Sequence, residues 1–445
     1  MHCGKGNMNQ EPINREFYER NKAFIISAIK LLNSYLRNGE QVPYIIIEKN
    51  KIEKDGSWSI THRLQPQYVV LVERHRKELE SLPEYRACIK VMRSDPIISK
   101  HLDCLIGTWD RRVRRKAWDY LRHFLIKQLE QLSEKFAFDP ETFDRMYYDF
   151  ERFIYSDSIE LRAFSPLHNF STDVDEIDLG NGLLIRRITT SELEQLLDEA
   201  KWSFQIPYFD IPNLKYAMEL KYKTRKMFGE LSKNKVPSPD VDVNERFNKL
   251  ITALRLFKSG LVGFNIIKTI PMLDLPLIIG GTSSLTYKPY RGQTYTLTRG
   301  EVREFKSFWN MFVKINLERH TPLNVAIRRF NYAYERNRLE DKLVDYMVAF
   351  EALFFKKGEI GEFRHKLAVR VARMLKQDYD DRITIMKQMM KFYDKRSKVV
   401  HGVKVNLSDE FINMVEDYLR RSIKLFLERL QTSNHDEIIS HLDLD

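Results

Sequence analysis

Hydrophobic residues recur at intervals of three and four along the last third of the chain, which is the period of an α-helix. The segment Arg338–Leu353 carries such a stripe, formed by Leu339, Leu343, Met347 and Phe350. A further helix ends at Gly402, because glycine readily adopts the left-handed backbone that terminates helices. Ser408, which precedes two acidic residues, is predicted to be the N-cap of a last helix that runs to about Gln431.

Up to about Ile154 the pattern is mostly helical, with one short hairpin. Charged and apolar residues mix at helical spacing in four segments, which are Asn14–Leu36, Gln67–Leu79, Ile97–Ile106 and Asp110–Lys135. Between the first two, residues that favour strands predict a hairpin made of Tyr44–Glu48 and Trp58–Thr61. We therefore expect a mostly helical N-terminal segment.

From about Tyr155 the pattern becomes mixed, and strands alternate with helices. In chain order, the predicted elements are strands at Ile159–Phe164 and Gly182–Ile188, a helix to Ala200 that opens at a capping box of Ser191 and Glu194, a helix at Val243–Ser259, and hairpin strands at Leu277–Tyr287 and Gln293–Thr298 with Pro289 and Gly292 in the turn. This arrangement predicts an α+β region.

These patterns together predict a mainly α protein in four parts. The expected division is a helical N-terminal domain over 1–154, a mixed α+β middle domain over 155–300, an all-helical C-terminal domain over 301–431 and an acidic tail over 432–445. Because the tail is short and polar, we expect it to fray.

Composition favours a polyanion as partner. The 445 residues include 73 Lys and Arg against 62 Asp and Glu, so the formal net charge is +11. The most apolar stretch, Leu261–Ile279, is interrupted by charges and prolines and is predicted to be core, not a membrane span. The three cysteines, Cys3, Cys88 and Cys104, have neither disulfide nor zinc spacing. We expect a cytoplasmic protein without a metal or other cofactor.

One basic stretch, Arg111–Lys116, holds five cations in six positions between Trp109 and Trp118. Such a segment can grip a nucleic-acid backbone while a tryptophan stacks on a base. The alternative is an ordinary charged helix face with its tryptophans in the core, and we favour this alternative.

The residues that point most directly to chemistry lie in Tyr393–Gly402. Arg396 stays protonated and can hold a phosphate through its planar donors, whereas His401 can accept and return a proton near neutral pH. On a regular helix, positions five apart point about 140° away from each other. A fuller site would form if a second copy brought its own pair across a two-fold axis.

Spacing alone leaves a structural alternative open, in which Arg396 forms an ion pair and His401 lies at a helix C-terminus that favours its positive form. Glu351 bears on the same question, because it shares a helix face with Val344 and Val348 and should be partly buried. A buried carboxylate needs a cationic partner, and Arg396 and Arg370 are the candidates. The pair would orient Arg396, hold two helices in register, or do both.

Three pieces of the last quarter of the chain together resemble the HEPN superfamily, and within it the Apea-like HEPN branch. Arg338–Leu353 is similar to the acidic, apolar helix of that branch with its Glu-Ala-Leu core, and Lys366–Ala372 is similar to the helix that follows. Tyr393–Gly402 is similar to the signature Tyr-x-x-Arg-Ser-x-x-Val-His-Gly. Order and spacing agree with the family at all key positions.

The resemblance implies an all-helical module that dimerises and, in active members, cuts RNA without a metal ion. Arg396 and His401 correspond to the arginine and histidine of the family motif, Ser397 to the polar residue after the arginine, and Glu351 to the acid of the preceding helix. We expect the substrate to be contacted by Ser397, Lys395, Lys398 and Arg370. The alternative for the two lysines is a solvated surface.

The expected function is that of a metal-independent endoribonuclease, in which the ribose 2′-hydroxyl attacks the phosphate, His401 serves as acid or base, and Arg396 stabilises the growing negative charge. The resemblance further implies a homodimer in prokaryotic anti-phage defence or growth arrest, with RNA such as tRNA as the target. Two alternatives are a dimerising sensor that holds RNA or nucleotide without cutting it, and a scaffold whose main nucleic-acid contact is Arg111–Lys116.

Overall fold

The computed structural model describes residues 11–53, 57–108, 111–131, 136–200, 211–230, 241–273, 281–284 and 293–444. These ranges contain fifteen α-helices and thirteen β-strands, so the protein is mainly α with some β, as the sequence predicts. Cys3, Trp109, Pro289 and Gly292 lie outside the described residues.

The N-terminal part packs helices around one hydrophobic cluster and carries a hairpin and a small sheet. Its elements are α1 (Arg15–Arg37), β1 (Tyr44–Ile52), β2 (Trp58–Pro66), α2 (Tyr68–Arg74), α3 (Arg76–Ser81), α4 (Pro83–Ser94), β3 (Leu105–Gly107), β4 (Arg112–Arg114), α5 (Ala117–Glu130) and α6 (Pro140–Tyr155). The predicted hairpin is confirmed as β1 and β2, which pair antiparallel from Tyr44 opposite Pro66 to Ile52 opposite Trp58.

One helix prediction in this part is wrong, and a second is confirmed only over α5. The segment Ile97–Ile106 holds only a single 3-10 turn and the strand β3, because Asp95 accepts hydrogen bonds from the backbone N–H groups of Ile97 and Ile98 and closes a turn instead. The helix predicted from Asp110 begins only at Ala117. Helices α4 and α6, which the spacing did not reveal, both begin with a proline in the first turn.

Half of the basic stretch Arg111–Lys116 lies on the strand β4, and none of it lies on a charged helix face. β4 is the outer strand of the three-stranded sheet β10-β3-β4, where β10 is Met227–Phe228. Arg112 donates to the carbonyl oxygens of Gly229 and Glu230 at 2.7 and 2.8 Å. Trp118 is 3% exposed, so its ring belongs to the core as the alternative interpretation predicts.

The middle part is built on a six-stranded antiparallel sheet in the order β12-β11-β5-β9-β8-β7. Its elements are β5 (Ser158–Pro166), β6 (Phe170–Thr172), β7 (Glu176–Asp178), β8 (Leu183–Arg187), α7 (Thr190–Ala200), β9 (Tyr216–Arg225), α8 (Val243–Phe257), β11 (Ile266–Pro271), β12 (Gly281–Ser284) and β13 (Tyr295–Leu297). Helices α7 and α8 and strands β5 and β8 agree with the sequence predictions.

Two details of this part differ from prediction. The capping box of α7 is formed by Thr189 and Glu192, whose side chain accepts from the backbone N–H and hydroxyl of Thr189 at 3.0 Å each. Glu194 instead accepts from the backbone N–H of Ile52 and ties the hairpin to α7. The hairpin predicted for Leu277–Tyr287 and Gln293–Thr298 is also wrong. β12 pairs with β11, and β13 pairs in parallel with β6.

From Arg299 to Leu444 every regular element is helical. The helices are α9 (Arg299–Lys314), α10 (Thr321–Tyr334), α11 (Leu339–Phe354), α12 (Phe363–Leu375), α13 (Tyr379–Val400), α14 (Asp409–Arg429) and α15 (His435–Leu444), with a 3-10 turn at Leu317–Arg319. Ser408 caps α14 as predicted, since its hydroxyl accepts from the backbone N–H of Phe411. The predicted frayed tail is instead α15, which docks through the buried residues Ile438, Ile439 and Leu442.

The core of the molecule does not divide at residue 300. One hydrophobic cluster runs from Ala163 on β5, through Leu250 on α8 and Phe305 on α9, to Leu442 on α15. The cluster of the N-terminal part ends with side chains of the same strand β5, including Ile159. The predicted domain boundary at 300 thus coincides with no break in packing.

Charged side chains inside the helical part are held by matched partners. Arg420, 4% exposed, donates to the carbonyl oxygen of Arg255 at 2.8 Å and pairs with Glu416. Glu416 also accepts from the hydroxyls of Tyr334 and Tyr346 at 2.7 and 2.8 Å. This network joins α8, α10, α11 and α14.

None of the helices in the described ranges is long and apolar enough to cross a lipid bilayer.

Gly402 ends α13 in the way the sequence predicts. Its φ is +73°, its N–H donates to the carbonyl of Val399, and the N–H of Val403 donates to the carbonyl of Lys398. This pair of bonds is the Schellman motif, in which the left-handed residue is usually glycine.

We expect Gly402→Ala to lower the free energy of unfolding by about 1 kcal/mol, because a Cβ disfavours the left-handed backbone. A Cβ there would meet no atom within 4 Å, so the cost is conformational only. Gly300, inside α9 and equally open, is the matched control, where alanine should stabilise the helix. Urea unfolding measures both, and effects of equal sign would contradict the assignment.

Candidate functional site

Arg396 lies on the inward face of α13 because it continues a stripe of buried residues. Ile385, Met389 and Phe392 are buried at spacings of four and three, and Arg396 follows Phe392 by four. Residues at these spacings share one helix face. The guanidinium is therefore carried towards α11, where Glu351 lies.

Glu351 is the partner of Arg396, as one of the two sequence predictions states. The Nη2 of Arg396 lies 3.4 Å from Oε2 of Glu351, and the two side chains are 23% and 27% exposed. Burial raises the pKa of the Glu351 carboxyl above its usual value, and Arg396 offsets only part of this effect. The burial of Glu351 thus outweighs the attraction of its single long ion pair.

The guanidinium of Arg396 is only partly satisfied. Its Nε is shielded from solvent but has no hydrogen-bond partner among the described residues. The bond to Glu351 is at the long end of the hydrogen-bond range. A shielded donor without an acceptor is costly, and most such donors in folded proteins are paired. The protein therefore leaves part of the hydrogen-bonding capacity of Arg396 unused.

His401 is the C-cap residue of α13 and is exposed to solvent. Its backbone N–H donates to the carbonyl of Ser397 at 3.1 Å. Within the described ranges its imidazole forms no hydrogen bond or ion pair, with Arg396 or with any other residue. One chain thus places the two side chains of the motif on the same helix end without a hydrogen bond between them.

The neighbours of Arg396 have different surroundings. Ser397 is half-buried, and Lys398 is exposed without an ion pair in the described part of the chain. Lys395 is engaged locally, because its Nζ donates to the carbonyl of Asn406 at 2.7 Å and lies 4.7 Å from the ring centre of Phe411. Lys395 therefore holds the segment after His401 against α13.

Arg370 is not available to a substrate, which corrects the sequence prediction. Its guanidinium is 4% exposed and donates to Glu359, to Asp443 and to the carbonyl of Phe354 at distances between 2.7 and 2.9 Å. It does not pair with Glu351. The arrangement fixes the loop after α11 and the helix α15 to α12, because these groups come from three separate elements.

One ion pair beside the site was missed from the sequence. Arg364, at the start of α12, donates to both carboxylate oxygens of Asp394 at 2.6 and 2.7 Å and lowers the pKa of that carboxyl. Asp394 lies two residues before Arg396, so the pair anchors this end of α13 to α12. The available signal in the sequence was Asp394, an acidic residue within the basic segment Tyr393–Gly402.

In the described ranges, no group of three or more His, Cys, Asp or Glu side chains is arranged to hold a metal ion. Comparison of the chain with protein-family models, curated proteins and solved structures found no match. The geometry of Arg396, His401 and Glu351 therefore carries the functional argument by itself.

Removal of Arg370 should destabilise the fold. We expect Arg370→Met to lower the free energy of unfolding by about 3–5 kcal/mol, because Glu359 and the Phe354 carbonyl lose their buried partner. Arg364→Met, on the same helix but at an exposed pair, should have a much smaller effect. Chemical denaturation compares them, and similar losses would refute the buried network.

The same network predicts a pH dependence. Arg370 lowers the pKa of Glu359 from 4.5 to about 2, so the ion pair stabilises the fold above 4.5 and this contribution is lost as the pH falls towards 2. Acid titration of stability should therefore be less steep in Arg370→Met than in the wild type over this interval.

The raised pKa of Glu351 predicts a pH dependence of stability opposite to that of Glu359, and Glu351→Gln tests it. Since the folded pKa of Glu351 is raised, the folded state holds the proton more tightly, and ionisation at higher pH weakens the fold. We expect the glutamine variant to gain stability relative to the wild type as the pH rises from about 4 to about 7. Urea unfolding at several pH values tests this, and a wild type that gains instead would show that the ion pair dominates.

Proposed function

We propose that this protein is a metal-independent endoribonuclease of the HEPN type. The observation that carries the proposal is the state of Arg396, which is held on an inward helix face by Glu351 and retains a shielded donor without an acceptor. An exposed histidine ends the same helix. The resemblance of this segment to the HEPN signature supports the same conclusion.

The proposed reaction needs only the groups that RNA and these side chains supply. The ribose 2′-oxygen attacks the adjacent phosphorus, the bond from phosphorus to the 5′-oxygen breaks, and a 2′,3′-cyclic phosphate and a 5′-hydroxyl result. His401 accepts the 2′ proton or protonates the leaving oxygen. Arg396 stabilises the additional negative charge on the phosphate oxygens. Glu351 keeps the guanidinium in place.

A second copy of the chain is part of the proposal. Two proton transfers are required, and one chain supplies a single His401, which forms no hydrogen bond with Arg396 within the described residues. A homodimer that places two α13 ends across a two-fold axis would supply two histidines and two arginines to one cleft. Lys398, exposed beside the motif, would add positive potential for the RNA backbone.

The proposed setting is the prokaryotic cytoplasm, where cleavage of RNA such as tRNA would arrest growth during phage infection. The formal net charge of +11 supports a polyanionic substrate.

The test is incubation of the full chain with total RNA and tRNA in excess EDTA, followed by mapping of the new ends. Fragments that end in 2′,3′-cyclic phosphate are expected from the wild type. His401→Ala should reduce the rate by about 100-fold or more, because it removes the proton-transfer group. Arg396→Lys should also be impaired, since lysine lacks the planar donor fork.

His62→Ala is the matched control, because His62 is an exposed histidine on the N-terminal hairpin. It should cleave at the wild-type rate. If the wild type binds RNA but produces no new ends, and His401→Ala binds equally well, the nuclease proposal fails and the non-catalytic binder replaces it.

A further inference from the structure

A cleft of about 700 Å³ opens in the helical part between the end of α9, the 3-10 turn Leu317–Arg319 and the end of α14. Three of its lining side chains are basic, and they are Lys314, Arg319 and His320. The remaining polar lining is neutral and consists of serine, asparagine and glutamine side chains. No carboxylate lines this cleft, although Arg319 and His320 also line an adjoining pocket that contains Asp436 and Glu437.

These three basic side chains have no counterion of their own. Within the described ranges, Lys314, Arg319 and His320 form no side-chain hydrogen bond and no ion pair. Lys314 and Arg319 are exposed, whereas the buried Arg370 and Arg420 are paired. A concave site lined by unpaired cations concentrates field lines and attracts anions.

The helix dipole accounts for the position of only one of these three basic residues. Lys314 lies in the last turn of α9, where the helix dipole favours a positive charge. Arg319 and His320 instead precede α10, at a helix N-terminus, where a positive charge is disfavoured. The first turn of α10 contains no acid, and its N-cap residue His320 makes no side-chain cap bond. An anion in the cleft would pair with Arg319 and with this helix end.

The walls of the cleft also have an apolar component. Met311, Ile315 and Leu430 line it beside the amides of Asn310 and Gln431. The lining is more polar than apolar, so the cleft suits a small polar or charged ligand. A nucleic-acid path would instead require cations that continue along an open surface.

We propose that this cleft binds a small phosphorylated molecule. Its phosphoryl group lies between Arg319, His320 and Lys314, and its remaining part packs on the apolar wall. The site contains none of Arg396, His401 or Glu351, so the inference is independent of the proposed nuclease reaction. The sequence shows no motif around His320, so only the fold places it in a candidate site.

The test is calorimetric titration of the full chain at low salt with inorganic pyrophosphate, AMP and glucose 6-phosphate, with adenosine and glucose as unphosphorylated partners. We expect at least one phosphorylated probe to bind and its unphosphorylated counterpart to bind more weakly. Lys314→Glu and Arg319→Glu should each weaken binding by about tenfold or more, because each removes a charged contact and adds repulsion.

Arg303→Glu is the matched control, since Arg303 is an exposed cation on α9 outside the cleft. It makes the same charge change and should leave the affinity as in the wild type. Unfolding midpoints identify any variant that fails to fold, and Lys314→Gln and Arg319→Gln then replace it.

Three outcomes would overturn the proposal. The first is that none of the phosphorylated probes binds, and the second is that Arg303→Glu weakens binding as much as Arg319→Glu. The third is that a single-stranded RNA binds at these residues while the small phosphates do not, which would assign the cleft to an RNA path. Binding retained in Arg396→Lys would separate this site from the proposed nuclease centre.

Discussion

The helical part of this protein is organised by the need to match every charge that it encloses. Arg420, which pairs with Glu416 on its own helix, also donates to the carbonyl of Arg255 on α8. Arg370 pairs with Glu359 in a loop and with Asp443 on α15, so both networks join elements that are distant in sequence. Removing a charge from water is expensive unless a partner compensates it, so these contacts constrain how the helices fit together. The pair of Arg396 and Glu351 follows the same rule less completely, and this incomplete match distinguishes the candidate site from the structural networks around it.

Much of the helical part could be predicted from sequence because its elements depend on local signals. The stripe of α11, the serine cap of α14 and the glycine at the end of α13 each act over a few residues. Pairing between strands depends on contacts that sequence spacing does not contain. For this reason β12 and β13 were predicted to pair with each other, although they pair with β11 and β6.

The candidate site was predictable to the same extent. The helical period predicted that Glu351 is partly buried and needs a cationic partner, and of the two candidates Arg396 is that partner. Helical spacing could not exclude Arg370 as a substrate contact, because its partners do not lie on a predicted helix. Glu359 lies in a loop, and Asp443 lies in the segment that was predicted to be a frayed tail. The polar composition of the last residues predicted a frayed tail. The segment packs against the protein instead, because three apolar residues of α15 are buried.

The segment that follows His401 is tied down on both sides. Lys395 holds the carbonyl of Asn406 and lies over Phe411, while the backbone bonds at Gly402 fix the start of the segment. A group that is ordered before its ligand arrives loses little conformational entropy on binding. In the proposed reaction, the histidine backbone would therefore be preorganised, and the main entropic cost of assembling the site would fall on the meeting of two chains and on the RNA itself.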